Sequence, residues 1–394
     1  MADPLLKIKG ISCAAVVSGI KNNGALDLSV VTLSSNSTTA AVFTQNVFCA
    51  APVLVAKNHL NNNVKALLIN SGNANAGTGT QGMENTLKTC DFLAQELGCD
   101  ASQILPFSTG VIGQQLDLSK FESGTPLAVS KLSENGIGEV SKGILTTDLV
   151  EKTASAEFEI NGEKVSITGI AKGSGMIRPD MATMLAFVFT DVKADQDTLQ
   201  SCLTTSVNQS FNRITVDGDT STNDACTLSA TGTAKVDLID CLSEFQNALN
   251  KVTQSLAQQI IKDGEGATKF VEVCVKGGVS NQDCLEVAYT VAHSPLVKTA
   301  LFASDANWGR ILAAVGRAKV ATLTITDIDI ELNGVGLIKS GEPDPNYTEA
   351  LGSAEMAKDE IVITINIGKN DTIERVWTSD FSYDYVKINA EYRT

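Results

Sequence analysis

Lys172-Gly-Ser-Gly-Met-Ile-Arg-Pro-Asp-Met-Ala-Thr-Met-Leu-Ala-Phe-Val-Phe-Thr-Asp191 is the stretch on which the reading of this chain turns. A glycine-rich turn runs through Pro179 into a short apolar run, Met184 to Phe189. The run is bounded at both ends and rich in large side chains, which predicts a buried strand. Thr183 sits at the join, directly after the small residue Ala182. A threonine at the mouth of a buried strand is ordinarily a strand residue and nothing more. If the Ala182–Thr183 bond were cut, however, Thr183 would become a new N-terminus. Its hydroxyl and its own free amine would then supply a nucleophile and a base without any histidine.

Outward from this stretch the pattern alternates between strands and helices. Residues 64–70 read as a strand that ends in the loop 71–77. Met83, Leu87, Cys90, Leu93 and Leu97 recur at helical spacing, and Gly98 stands where a C-terminal glycine cap would. Ser108-Thr-Gly-Val-Ile-Gly113 reads as a second polar loop. Residues 215–224 are a dense run of small polar side chains, the composition of a loop held by Asx and Ser/Thr turns. Phe245, Leu249, Val252, Leu256 and Ile260 form one apolar helical stripe, which stops at Asp263-Gly-Glu-Gly266. A strand over 269–275 follows, and Ser294 with Pro295 marks a helix start. Asn333-Gly334 predicts a hairpin, and residues 361–367 alternate as a half-buried strand should. Strands separated in part by helices predict an α/β or α+β layered fold.

Composition excludes several classes of function. The 394 residues are 43% hydrophobic, enough for a sizeable core in one large or two smaller domains. A net charge of −15 argues against a nucleic-acid surface and against an anionic membrane. The only histidines are His59 and His293. His59 lies in an ordinary polar segment, and His293 more naturally helps to start a helix than to catalyse. Nine cysteines are scattered singly, with no Cys-x-x-Cys pair. They read as small buried hydrophobes in a reducing compartment, and no metal site or cofactor is expected. The N-terminus lacks the apolar core of a signal peptide, and no run is long enough to span a bilayer, so a soluble cytoplasmic protein is expected.

The string from Lys172 through Met-Ala-Thr-Met-Leu into Ala-Phe resembles the cleavage region of the ornithine acetyltransferase (glutamate N-acetyltransferase) family of arginine biosynthesis. The resemblance extends over nearly the whole chain. It implies a layered αββα-type sandwich of the self-processing, N-terminal-nucleophile-like kind. It also implies self-cleavage between Ala182 and Thr183 into fragments 1–182 and 183–394, which stay together as one folded unit. The family's reaction is a ping-pong transfer. The threonine hydroxyl takes acetyl from N-acetylornithine and passes it to glutamate, and some members also accept acetyl-CoA. Thr109 and Gly110 match the family's oxyanion segment. Thr146, Lys172, Glu265, Asn389 and Thr394 match its substrate contacts, the choice between Thr146 and Thr147 being open. Two copies of each fragment would assemble together. The main rival is an N-terminal-nucleophile aminopeptidase or amidohydrolase, in which water replaces glutamate as acceptor. Lys172, Glu265 and Asn389 favour the transferase, because they suit two charged amino acids. A phosphate-binding module is disfavoured, because the glycine strings lack the P-loop lysine spacing.

Overall fold

The computed structural model describes residues 5–178 and 184–391. The chain begins with β1 (Ile11–Val16), β2 (Leu28–Leu33) and β3 (Thr38–Phe43). Helix α1 (Ala51–His59) leads to β4 (Ala66–Asn73), and α2 (Gly79–Leu97) leads to β5 (Ile104–Val111). Helices α3 (Leu118–Ser130) and α4 (Ile137–Gly143) precede the hairpin of β6 (Lys152–Ile160) and β7 (Glu163–Lys172). Next come β8 (Leu185–Thr190), α5 (Gln196–Asn208), the short β9 (Ile214–Thr215), β10 (Ala225–Ala230) and α6 (Leu242–Lys262). The remainder is β11 (Phe270–Lys276), α7 (Asn281–Ala292), α8 (Pro295–Phe302), α9 (Trp308–Gly316), β12 (Asp329–Leu332) and β13 (Val335–Lys339). It closes with β14 (Glu342–Pro343), α10 (Glu349–Met356), β15 (Glu360–Asn366), β16 (Ile373–Ser379) and α11 (Tyr383–Glu391).

Two compact units result, one of Met1–Asn212 with Asp219–Ile260 and one of Arg213–Gly218 with Ile261–Thr394. The first unit holds two sheets, ordered β1-β2-β4-β5 and β3-β10-β8-β7-β6. They pack face to face. Leu67, Ile69, Leu105 and Phe107 of one sheet share a core with Ile170, Leu185, Phe187 and Phe189 of the other. Phe107 and Phe187 meet edge to face at 5.1 Å between ring centroids. Because strand side chains alternate, Ala66, Leu68 and Ile104 point the other way and pack with Cys90 and Leu93 of α2 and Phe121 of α3. On the far side of the second sheet, the position of Gly169 in β7 lies against Val252 and Leu256 of α6. Four layers therefore stack as helix, sheet, sheet, helix, the architecture expected above.

The second unit is a single sheet, β14-β13-β12-β15-β11-β16-β9, with its core formed against α7, α8 and α9. Its Asn333-Gly334 turn has both φ values positive, 48° and 83°, which joins β12 to β13 as a tight hairpin. Ser294 caps α8 by accepting from the Val297 N–H. Gly98 caps α2 in the left-handed conformation, φ 64°.

Two local expectations need correction. The segments 71–73 and 108–111 are strand, not loop. β4 and β5 run on as parallel partners through Gly72 and Gly110, because each supplies the other's backbone hydrogen bonds. His293 ends α7 rather than starting the next helix, and its Nε2 lies 3.0 Å from the Thr215 hydroxyl. The segment from Tyr383 to Glu391 is a helix, which its polar, weakly patterned sequence does not announce.

Candidate functional site

Thr109 and Gly110 occupy the end of β5, paired with Ser71 and Gly72 of β4. Gly110 adopts φ +132°, and a Cβ there would lie 2.3 Å from the Gly72 carbonyl carbon. Only glycine fits this approach of two backbones. The neighbouring Ser108 is held on both sides. Its hydroxyl donates to Asn70 Oδ1 at 2.6 Å, and its carbonyl accepts from Asn223 Nδ2 at 2.8 Å. The Asn70 segment therefore helps to position the end of β5.

Lys172 is the last residue of β7, opposite Leu185 at the start of β8. Its Nζ donates to Thr109 Oγ1 at 3.1 Å, although 63 residues separate them. The bond uses an oxygen lone pair of Thr109 and leaves its O–H able to donate elsewhere. Beside this pair lies Asp148. It accepts from Lys152 Nζ at 2.5 Å, from the Gly173 N–H at 2.7 Å and from the Thr146 N–H at 2.9 Å. Burial alone would raise the Asp148 carboxyl, but the charges of Lys172 and Lys152 and these hydrogen bonds outweigh it and hold it at about 2. Thr146 thus stands beside the acid that anchors the Lys172 turn.

Ala182 and Thr183 lie outside the described residues. Their flanks are held by one loop. Ile177 forms an antiparallel bridge with Thr220, whose hydroxyl donates to the Arg178 carbonyl at 3.1 Å. The Met184 carbonyl accepts from the Ala225 N–H at 3.0 Å. Asn223, in the same loop, reaches the Ala74 carbonyl as well as Ser108. Segment 220–225 therefore joins both flanks of Ala182–Thr183 to the end of β5. In the sequence this segment is a loop of small polar residues with no assigned part in the site; nothing in its spacing distinguishes a structural turn from a tie between two sheets.

The same loop contributes Asp224, whose side chain is buried. Burial pushes its carboxyl well above the usual range, against the opposing effects of hydrogen bonding from Ser221 and the Lys172 charge. Asp224 lines a small cavity together with Thr109, Lys172, Met184, Ser221 and Asn223.

Glu265 and Asn389 meet within the second unit. Asn389 Nδ2 donates to Glu265 Oε2 at 2.9 Å. Glu265 is buried. The turn that carries it sits close under α11: a Cβ on Gly266 would come 2.4 Å from the Tyr385 nitrogen. The Ser382 hydroxyl donates to the Gly266 carbonyl at 2.6 Å. Thr394 lies outside the described residues. Of the two histidines, His59 donates from Nδ1 to the Ile104 carbonyl at 2.8 Å and His293 contacts Thr215, so each has a local structural partner.

A model of the ArgJ family matches residues 12–394. The chain belongs to the ArgJ family. It is similar to the arginine biosynthesis bifunctional protein ArgJ of Pseudomonas fluorescens (strain Pf0-1), 51% identical over 392 residues, 98% of this chain and 97% of the relative. It is similar also to the protein of that description from Methylococcus capsulatus (strain ATCC 33009 / NCIMB 11132 / Bath), 48% identical over 394 residues, 99% of this chain and 97% of the relative. Among solved structures, it resembles arginine biosynthesis bifunctional protein ArgJ of Bacillus halodurans, with 39% identity, TM-score 0.49, 53% of this chain and 99% of that one covered. It also resembles ornithine acetyltransferase of Mycobacterium tuberculosis in complex with ornithine, with 34% identity, TM-score 0.40, and coverage of 44% and 94%. As an ArgJ family member the chain is an acetyl-transferring enzyme of arginine biosynthesis. No helix among its described residues is long and apolar enough to cross a membrane.

Proposed function

We propose that this ArgJ chain is a self-processing acetyltransferase that moves acetyl from N2-acetyl-L-ornithine to L-glutamate. The Thr183 hydroxyl attacks the Ala182 carbonyl, the resulting ester is hydrolysed, and Thr183 becomes an N-terminus. A terminal α-amine ordinarily titrates at about 7.7–8.0, so that of Thr183 is partly neutral near pH 7 and serves as base for its own hydroxyl. The hydroxyl attacks the acetyl carbonyl of N-acetylornithine, and the amine returns the proton to departing ornithine. Glutamate then attacks the acetyl-threonine. At each tetrahedral stage the Thr109 hydroxyl and Gly110 N–H stabilise the negative oxygen. Thr146, Lys172, Glu265, Asn389 and Thr394 orient the charged ends of the two amino acids. Acetyl-CoA as a second donor belongs to the same proposal, as does an assembly of two copies of each fragment.

One observation carries the reading. Thr109, Lys172 and Met184, the residue bonded to Thr183, line a single cavity. A hydroxyl and an ammonium beside the start of the strand that Thr183 precedes support the assignment of Thr109 as oxyanion donor and Lys172 as substrate contact. The test is intact mass under denaturing conditions, for the wild type beside Thr183→Ala. The wild type should give fragments of about 19 kDa (182/394 of 41.5 kDa) and 22 kDa (212/394), the second beginning Thr-Met-Leu-Ala-Phe. The variant should stay whole and lose acetyl transfer. A whole wild-type chain that still transfers acetyl would show the nucleophile assignment to be wrong.

A further inference from the structure

We propose that Asp224 donates a third hydrogen bond to the oxyanion, from its Oδ2 into the cavity it shares with Thr109. The inference rests on the acyl-transfer reading above and adds a catalytic residue to it. Asp224 Oδ2 is buried and has no hydrogen-bond partner among the described residues. An orphaned carboxyl oxygen inside a protein is costly unless something occupies the space before it. Asp224 itself lines a cavity with Thr109, Lys172, Gly173 and Met184, about 30 Å³ in volume, room for one water-sized atom. A carbonyl oxygen that acquires charge is of this size.

The loop geometry holds Asp224 in place from three directions. The backbone N–H of the next residue, Ala225, donates to the Met184 carbonyl, and the Asp224 carbonyl accepts from the Thr44 N–H at 2.9 Å. The preceding residue, Asn223, is bound to the Ser108 carbonyl beside Thr109. The β10–β8 register, with Ala225 opposite Leu185, sets Asp224 level with Met184. Asp224 is thereby fixed relative to both the nucleophile's strand and the oxyanion strand.

An ionised carboxylate would repel an oxyanion; a neutral carboxylic acid carries one O–H donor. Burial favours the neutral form, pushing the group well above the usual carboxylate range. Met176, Ile177, Met184 and Leu185 are apolar members of the cavity's lining, and burial outweighs the opposing Lys172 charge and Ser221 hydrogen bonds. A carboxylic acid kept neutral by an apolar site is an effective oxyanion donor. No proton leaves Asp224 in the reaction; its hydrogen bond shortens toward the charged oxygen and relaxes as the intermediate collapses.

The test compares Asp224→Asn with Asp224→Ala after thermal melting has shown that each folds. Asparagine keeps an N–H donor where Oδ2 stood, whereas alanine has none. Asp224→Asn should hold kcat within about tenfold of wild type. Asp224→Ala should lose about 10²-fold or more in kcat with KM little changed. Self-cleavage also passes through an oxyanion, so the rate at which fresh precursor is cut should rank in the same order. Unchanged kcat and cutting in Asp224→Ala would overturn the proposal. So would a folded Asp224→Asn as impaired as Asp224→Ala, since loss of a charge pair with Lys172 predicts that equality. If alanine prevents folding, infrared spectra of the wild type decide. A protonated-carboxyl band that disappears in Asp224→Asn supports the donor, and its absence from the wild type overturns it. A wild type that neither cuts itself nor transfers acetyl would sink the proposed function, while the infrared result would still report on Asp224.

Discussion

Asp148 and Lys152 are both buried at the side chain, 0% exposed each, and are joined across one helical-type spacing. A buried pair of this kind is stabilising only while both partners are present, because removing one leaves the other's charge without compensation. Asp148→Asn should therefore destabilise the protein by about 3–5 kcal/mol in chemical denaturation. The same residue has a pH signature. Its folded-state carboxyl is depressed from 3.8 to about 2, so the stability it contributes is complete above about pH 4 and is lost as pH falls toward 2. The difference amounts to about 2 kcal/mol. Denaturation curves taken through that window should show a shallower decline in Asp148→Asn than in wild type. Parallel declines would mean that Asp148 is not held low by Lys172 and Lys152. Asp148 is beyond sequence reading: Thr146 and Lys172 stand out through the family resemblance, but the acid between them looks like one more loop carboxylate.

At the scale of elements, the tail illustrates how a weak local signal becomes a defined structure. Residues 383–391 have no apolar stripe, and α11 buries none of its side chains. The helix is located by contacts from the 263–266 turn: Ser382 to Gly266, Asn389 to Glu265, and the tight approach of Gly266 to Tyr385. Gly266 has φ +67°, so a side chain there meets both backbone strain and a clash. Gly266→Ala should displace α11 and break the Asn389–Glu265 bond. Its expected effect is a several-fold rise in KM for the amino-acid substrates, with self-cleavage unimpaired. Unchanged KM in a folded variant would show that Glu265 and Asn389 do not act on substrate through this contact. Glu265 and Asn389 are legible only through the family resemblance, because neither has neighbours in sequence that suggest the other.

At the scale of the whole molecule, the sheet β3-β10-β8-β7-β6 interleaves strands from the two sides of the Ala182–Thr183 bond. β3, β6 and β7 precede it, and β8 and β10 follow it. β10 pairs with β3 on one side and with β8 on the other, while β8 pairs with β7. Parting the fragments would break the β3–β10 and β7–β8 ladders and expose Leu185, Phe187 and Phe189, all fully or nearly fully buried. Cut protein should therefore run as one particle in native size exclusion and separate only in denaturant. Fragments that part under native conditions would contradict the shared sheet.

Much of the framework is written locally. The buried run after Thr183, the capped helices α2 and α8, the Asn333-Gly334 hairpin and the stripe of α6 follow from short-range patterns of polarity and backbone preference, which hold wherever the chain folds. The string from Lys172 to Asp191 is distinctive enough to place the chain in its family. Tertiary structure decided what polarity patterns cannot encode. Residues 108–111 look like a loop because they are small and polar, yet β4 alongside makes them strand. Lys172 looks like a solvated loop lysine, yet the meeting of two sheet ends sets it on Thr109. Asp224 looks like one turn-former among many, and only its burial in the folded protein turns it into a chemically distinctive group. The physical reason is common to all three: hydrogen-bond partners, burial and field come from residues tens to more than a hundred positions away, and closing the sandwich is what brings them within reach.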